Sequence, residues 1–292
     1  MMPRLFFAAL IAGAVGLHAS GPQVFRATTD AVSVDVSVKQ GSRPVTGLAA
    51  ADFVLLDNGV SQQIRVVATS ALPIDVTILL DVSFSTDGAM LAGFGQAALD
   101  VAKLLTTQDR LRLLQVSNEV HEVLDFQPGG VVPRFVNLQA GGATSLYDGL
   151  GAAMLKQREG DRRQLIVAVT DGRDTLSFLD RRAVANLALR SDAVVEIALG
   201  TDGADVPARS ALQDITRSTG GGLRPFNPAV SIGPVFKRIL DEFRTGYVLM
   251  YSPAGVARDG RHEITVSVSR RGTYEVRARR GYGSGGDNHN LQ

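Results

Sequence analysis

The chain has 292 residues, 45% hydrophobic and 20% charged, a balance that excludes an intrinsically disordered protein. It has no cysteine, which excludes disulfides, thiolate metal sites and Cys nucleophiles. A formal net charge of +1, from 30 basic and 29 acidic residues, is far from the basic surplus of a nucleic-acid-binding protein.

Arg4 precedes an apolar run from Leu5 to Leu17, too short for a span of about 20 residues. Small residues follow, with Ala19 and Ser20 as cleavage points. Residues 1–20 therefore read as a secretory signal peptide. The alternative is an uncleaved short anchor. Either reading puts the mature chain outside the cytoplasm, secreted or in the periplasm and cell envelope. No transmembrane span is expected after signal removal.

Short strands come next. Val32, Val34, Val36 and Val38 alternate with Ser33, Asp35 and Ser37, the period of a half-buried strand. Phe53 to Leu56 is a second strand, closed by Asp57-Asn58-Gly59, a strong turn signal. Ile64 to Val67 is a third.

From Pro73 strands and helices alternate. Ile74 to Leu80 is a continuous apolar run, as in a strand buried on both faces. Met90, Phe94, Ala97, Ala98, Val101, Leu104 and Leu105 recur at helical spacing. Strands are predicted at Leu111 to Val116, Val120 to Phe126, Leu165 to Val169 and Val194 to Leu199. Helices are predicted at Leu146 to Lys156, Arg181 to Arg190, Arg209 to Ser218 and around Val235 to Phe243. After Gly246 the pattern returns to strands, at Tyr247 to Tyr251, Ile264 to Val268 and Tyr274 to Ala278.

The expected fold class is α/β, with a doubly wound, mainly parallel sheet. It is inserted into a β-domain built from N- and C-terminal flanking strands, since neither flank has enough strands alone. The expected boundaries are 24–70 and 247–282 for the two parts of the β-domain and 73–246 for the α/β domain. Residues 283–292, rich in Gly and Asn, read as a disordered tail.

Asp81-Val82-Ser83-Phe84-Ser85 follows the first buried strand at its C-terminal end, the edge where open α/β sheets bind ligands. One carboxylate and two hydroxyls spaced two apart suit a hard divalent cation such as Mg²⁺, Mn²⁺ or Ca²⁺. Alone the pattern is weak, because Asp and Ser are common loop residues. Two further segments strengthen it. Gly141-Gly142-Ala143-Thr144-Ser145 delivers a Thr hydroxyl before a helix, and Asp171 follows another apolar strand. Tyr147 and Asp148 read as the helix start, the Asp favoured there by the helix dipole.

From Pro73 to Gly246 the sequence resembles the von Willebrand factor type A (VWFA) family with its metal-ion-dependent adhesion site. The D-x-S-x-S motif matches at Asp81, Ser83 and Ser85, the later Thr at Thr144 and the later Asp at Asp171. Phe84 departs from the Gly common at that position. The flanks, VTGLAAADFVLLDNG before and YVLMYSP and RARRGY after, look like the bacterial VWFA-related family first described in acidobacteria. The resemblance implies a divalent cation, most readily Mg²⁺, with an open position filled by an Asp or Glu of a partner protein. It implies adhesion or scaffolding, and no enzyme.

The alternative is a metal-dependent hydrolase. The four histidines speak against it: His18 lies in the signal, His289 in the tail, and His121 and His262 near strands, where a satisfied structural role is expected. No G-x-S-x-G elbow occurs. Gly281-x-Gly283-x-x-Gly286 lacks the following helix of a dinucleotide fingerprint. The Arg-rich stretch from Arg258 to Arg280 reads as solvent-facing strand side chains.

Overall fold

The computed structural model describes residues 31–284, apart from 69–71, 85, 87, 131–137, 139, 157, 158, 201–204, 228 and 229. The expected signal peptide lies outside the described residues, as do Ser85 and residues 285–292.

Strand β1 (Val32–Gln40) turns at Gly41 into the two-residue β2 (Arg43–Pro44). A single 3₁₀ turn (Ala50–Asp52) leads into β3 (Phe53–Asp57). Asn58 and Gly59 have φ of 46° and 79°, the conformation a tight hairpin turn demands. They lead into β4 (Val60–Ser61), followed by β5 (Arg65–Ala68). Alternation then begins: β6 (Ile74–Asp81), α1 (Gly88–Leu104), β7 (Arg110–Val116), β8 (Val120–Pro128), α2 (Leu146–Leu155) and β9 (Arg163–Thr170). It continues through α3 (Arg181–Arg190), β10 (Val194–Gly200), α4 (Val206–Ser218), β11 (Leu223–Phe226) and α5 (Gly233–Arg244). The chain closes with β12 (Tyr247–Tyr251), β13 (Gly260–Val268), β14 (Glu275–Ala278) and β15 (Gly281–Ser284).

The central sheet has the order β11-β10-β9-β6-β7-β8 and is parallel except for β8. Its inner strands β10, β9, β6 and β7 are buried on both faces, which is why they read as apolar runs. Ile74, Val76, Ile78 and Leu80 of β6 pack with Phe94 and Val101 of α1 and Phe236 and Leu240 of α5. Leu79 faces the other layer, with Leu150 of α2, Val184 of α3 and Leu212 of α4. The doubly wound, mainly parallel α/β fold is thus as expected from sequence.

The flanking strands form two further sheets. One has the order β14-β1-β12-β5, with β2 added to β1; the other is β15-β13-β3-β4. The N-terminal strand β1 lies antiparallel between β12 and β14, and β3 lies against β13. Val34, Val36, Leu55, Leu249 and Ile264 share one core. Inside it, Asp57 is fully buried. Its carboxylate accepts from Tyr251 Oη at 2.9 Å, Tyr282 Oη at 3.0 Å and His262 Nδ1 at 2.7 Å. His262 stacks on Tyr282 with centroids 4.4 Å apart, but its buried Nε2 has no partner among the described residues. It is therefore only half satisfied.

Arg163 ties this unit to the central sheet. Its Nε donates to Asp35 of β1 at 2.7 Å and its Nη1 to the Phe243 carbonyl of α5 at 2.7 Å. Lys39 and Glu242 pair beside it at 2.5 Å.

Three details depart from the sequence reading. Strands β2, β4, β11 and β15 are absent from the sequence reading, and β15 takes in Gly283 and Ser284, read there as tail. Helix α4 begins at Val206, not Arg209, because the Asp205 carboxylate accepts from the Ala208 N–H and Pro207 fits the first turn. Arg279 does not face solvent: it is 7% exposed and donates to the carbonyls of Gly281 and Leu189 and to Asp192.

Candidate metal centre

Helix α1 leaves β6 over one face of the sheet, and α3 leaves the neighbouring β9 over the other. The C-terminal ends of these two strands therefore diverge into a crevice, the usual ligand position in such sheets.

Asp81 is the last residue of β6 and is 1% exposed. Its Oδ1 accepts from Ser83 Oγ at 2.6 Å and Ser83 N at 3.1 Å. Its Oδ2 accepts from Thr170 Oγ1 at 2.7 Å. Burial pushes the Asp81 carboxyl above the ordinary carboxylate value; the Ser83 and Thr170 hydrogen bonds oppose this, and the charge of Asp171 adds to it.

Ser83 is as buried as Asp81, and Thr144 is 4% exposed. The Gly141–Thr144 loop is fastened on both sides. Gly141 N donates to the Val82 carbonyl at 2.8 Å and Phe84 N to the Gly142 carbonyl at 3.1 Å. The Thr144 carbonyl accepts from Thr175 N at 2.9 Å and Leu176 N at 3.0 Å, while Thr144 N donates to Thr175 Oγ1 at 2.9 Å. Gly142 has φ of 80°, and a Cβ there would lie 2.6 Å from Asn118 Oδ1. That oxygen accepts from Ala143 N at 2.7 Å, so only glycine fits beneath it.

Asp171 follows β9, is partly exposed, and accepts from Arg173 N at 2.9 Å. The structure thus joins Asp81 directly to Ser83, sets Asp171 close enough to act on Asp81, and binds the loop of Thr144 to both neighbouring loops. Ser85 lies outside the described residues.

Several supporting residues were not apparent from sequence. Thr170 links the two strand ends, and its Oγ1 also accepts from Gly172 N at 2.9 Å. Asp148 does more than favour a helix dipole: its two oxygens accept from Phe178 N and Leu179 N, each at 2.9 Å. Asp174 returns the contact, accepting from Tyr147 N at 3.2 Å and Ser177 Oγ at 2.5 Å. The only sequence signal of Thr170 and Asp174 is position, at a strand end and in the loop beside Asp171; Asp148 was marked only as a helix start.

Among the described residues no group of three or more His, Cys, Asp or Glu side chains is placed to hold a metal. A cation here would draw on hydroxyls besides the carboxylates. The donors are all oxygens, which fits a hard divalent ion and not a thiophilic one. A buried carboxylate beside a second one, with neutral donors around it, is the arrangement a bound cation would stabilise.

Residues 75–227 match the von Willebrand factor type A domain. No curated protein matches the chain. Among solved structures, a von Willebrand factor type A protein from Catenulispora acidiphila is 11% identical with a TM-score of 0.51, over 90% of this chain and 76% of that one. Proximal thread matrix protein 1 from the mussel byssus is 14% identical with a TM-score of 0.49, over 59% of this chain. The match takes in only 48% of the mussel chain, about half its length. A second structure of that mussel protein, with a zinc-occupied MIDAS motif, is 14% identical with a TM-score of 0.48 and the same coverage. The likeness to the Catenulispora protein shows a shared fold.

Proposed function

Because the chain belongs to the von Willebrand factor type A domain family, we propose that it is a non-enzymatic protein-binding module with a metal-ion-dependent adhesion site. Asp81, Ser83, Ser85, Thr144 and Asp171 hold a divalent cation in this reading, directly or through water. Mg²⁺ is the first choice, and Mn²⁺ or Ca²⁺ also suit the oxygen donors. The cation supplies an electrophilic point for a carboxylate of a partner protein, so that metal and partner are bound together. The narrower likeness of the flanking strands to the bacterial VWFA-related family belongs to this proposal.

The observation that carries it is the state of Asp81. Its carboxylate is buried, hydrogen-bonded by Ser83 and Thr170, and repelled by Asp171. The hydrolase alternative finds little support. His262 is locked against Asp57 inside the sandwich, and His121 stands on β8 with a 55% exposed side chain.

The proposed setting is extracytoplasmic, secreted or in the periplasm and cell envelope. Among the described residues no helix is long and apolar enough to cross a membrane. Mass spectrometry should find a mature N-terminus near Ser20 to Gln23. Met1 intact in a cytosolic fraction would overturn the setting.

Thermal melts test the metal. Mg²⁺ or Mn²⁺ at a hundredfold excess over its dissociation constant should stabilise the protein by about 2.7 kcal/mol relative to EDTA. Asp81→Asn should lose most of this response and be as stable as wild type, or more so, in EDTA, because a buried charge is gone. Ser83→Ala should lose less. A wild-type response in Asp81→Asn would refute the site. Metal-dependent turnover of phosphoesters or peptides, lost in Asp81→Ala, would favour the hydrolase.

A further inference from the structure

Two phenylalanines stand in the open on the loops that carry Ser83 and Asp171. Phe84 is 81% exposed and Phe178 is 99% exposed, with Leu176 between them in sequence order at 49%. Single exposed apolar residues are common and mean little. These three differ in that their backbones are fixed to one segment. Phe84 directly follows Ser83, its N–H is bonded to the Gly142 carbonyl, and its ring lies against Gly141. Leu176 N donates to the carbonyl of Thr144. Phe178 N donates to Asp148 Oδ2. All three residues are therefore fastened to the one segment from Gly141 to Asp148, with Thr144 in its middle.

A cation with an open position accepts any carboxylate, including that of a free metabolite. Selection among partners must come from the surface around it. Here that surface presents apolar area that gains by being covered, on loops whose backbones are already hydrogen-bonded and so lose little freedom on binding. Aromatic side chains placed this way are the usual anchors of interfaces.

We propose that Phe84, Leu176 and Phe178 form an apolar rim that selects partner segments carrying a bulky apolar side chain within one to three residues of the metal-seeking Asp or Glu. In an extended segment residues two apart share a face, so carboxylate and apolar group reach cation and rim together. Purely acidic segments and free carboxylates bind the cation without covering the rim and are rejected by comparison. This inference rests on the metal reading above.

A display library of random heptapeptides with a fixed central Asp tests it. The full-length protein is panned in Mg²⁺, and bound peptides are eluted with EDTA. Phe84→Ser/Phe178→Ser is panned in parallel. Both substitutions are at exposed side chains, and thermal melts check that the variant keeps its fold and its Mg²⁺ shift. Wild type should enrich Leu, Ile, Phe, Met or Trp within three positions of the Asp, and the variant should lose that enrichment. For one selected peptide, each single Phe→Ser change should weaken binding about tenfold, the scale of losing an interface anchor. EDTA-eluted peptides without apolar enrichment, the same enrichment in both proteins, or no EDTA-sensitive peptide despite an intact Mg²⁺ shift would each overturn the rim. Absence of any Mg²⁺ shift in wild type would instead overturn the metal reading, and the rim with it.

Discussion

Thr170 donates its hydroxyl proton to Oδ2 of Asp81 at 2.7 Å, across 89 residues of sequence. The bond joins the ends of the two parallel strands that open the crevice. It also leaves Thr170 Oγ1 free to accept from Gly172 N, which shapes the start of the next loop. Thr170→Val keeps the side-chain shape and removes both bonds. Unfolding in urea with EDTA should show a loss of about 1–3 kcal/mol, the cost of leaving buried groups unsatisfied. Asp81 should then ionise less readily, so the Mg²⁺ response should also shrink. An unchanged midpoint would show that the bond has no role in holding the site.

Asp109 is another buried carboxylate, at the opposite end of the sheet from Asp81. It accepts from Ile74 N at 2.9 Å, Thr106 N at 2.7 Å, Thr106 Oγ1 at 2.8 Å and Arg244 Nη2 at 2.7 Å. Burial alone would raise its pKa, but the Thr106 bonds, Arg244 and the Ile74 amide outweigh it and hold the carboxyl below its ordinary 3.8. The folded state therefore favours the ionised form. Its contribution is complete above the unfolded value and is lost as pH falls through the lower folded one. Asp109→Asn should cost about 1–3 kcal/mol at pH 7. Below about pH 4 the variant should approach wild type. Urea midpoints at pH 7, 5 and 3 decide it; a gap that widens with acid would contradict the account.

Asp57 links four strands of the sandwich through Tyr251, His262 and Tyr282. Tyr251→Phe removes one donor and should cost about 0.5–1.5 kcal/mol. Asp57→Ala strands two phenol hydroxyls and an imidazole N–H, and should cost about 3–5 kcal/mol. Denaturant unfolding measures both. Equal losses in the two variants would mean that the carboxylate is not the hub.

How much of this was readable in advance follows from the residues themselves. Val32 to Val38 alternate because one face of β1 packs on a core, and Ile74 to Leu80 run unbroken because β6 is covered on both sides. Burial writes itself into composition. Asp81 and Asp171 stood out because each ends such an apolar run. Strand β11 did not stand out: it is four residues long, contains Pro225 and lies at the sheet edge. Strand β15 was hidden by its glycines, yet Gly281 is required because a Cβ there would lie 2.2 Å from the His262 carbonyl. Thr170 carried no signal, since a threonine is ordinary in a strand. Its role exists only through a neighbour brought up by pairing.

We propose that residues 24–70 and 247–282 form one β-domain and residues 73–246 an α/β domain. Arg163 with Asp35, and Lys39 with Glu242, bridge the two. Nicking the full chain between residues 69 and 72 should therefore leave both pieces together on size exclusion, because β1 is held by β12 and β14. Separation of the pieces under native conditions would refute the division.

The hydroxyl of Tyr282 meets a carboxylate 225 residues earlier in the chain. The strands made first thus wait for those made last. Until then β1 can pair with β2 and β3 with β4, while their partners β12, β13 and β14 are still to come. The central sheet, built from nearer neighbours, can form while they wait. Folding should then run in two stages, with the sandwich sealing last, and slowly, as long-range strand pairing does.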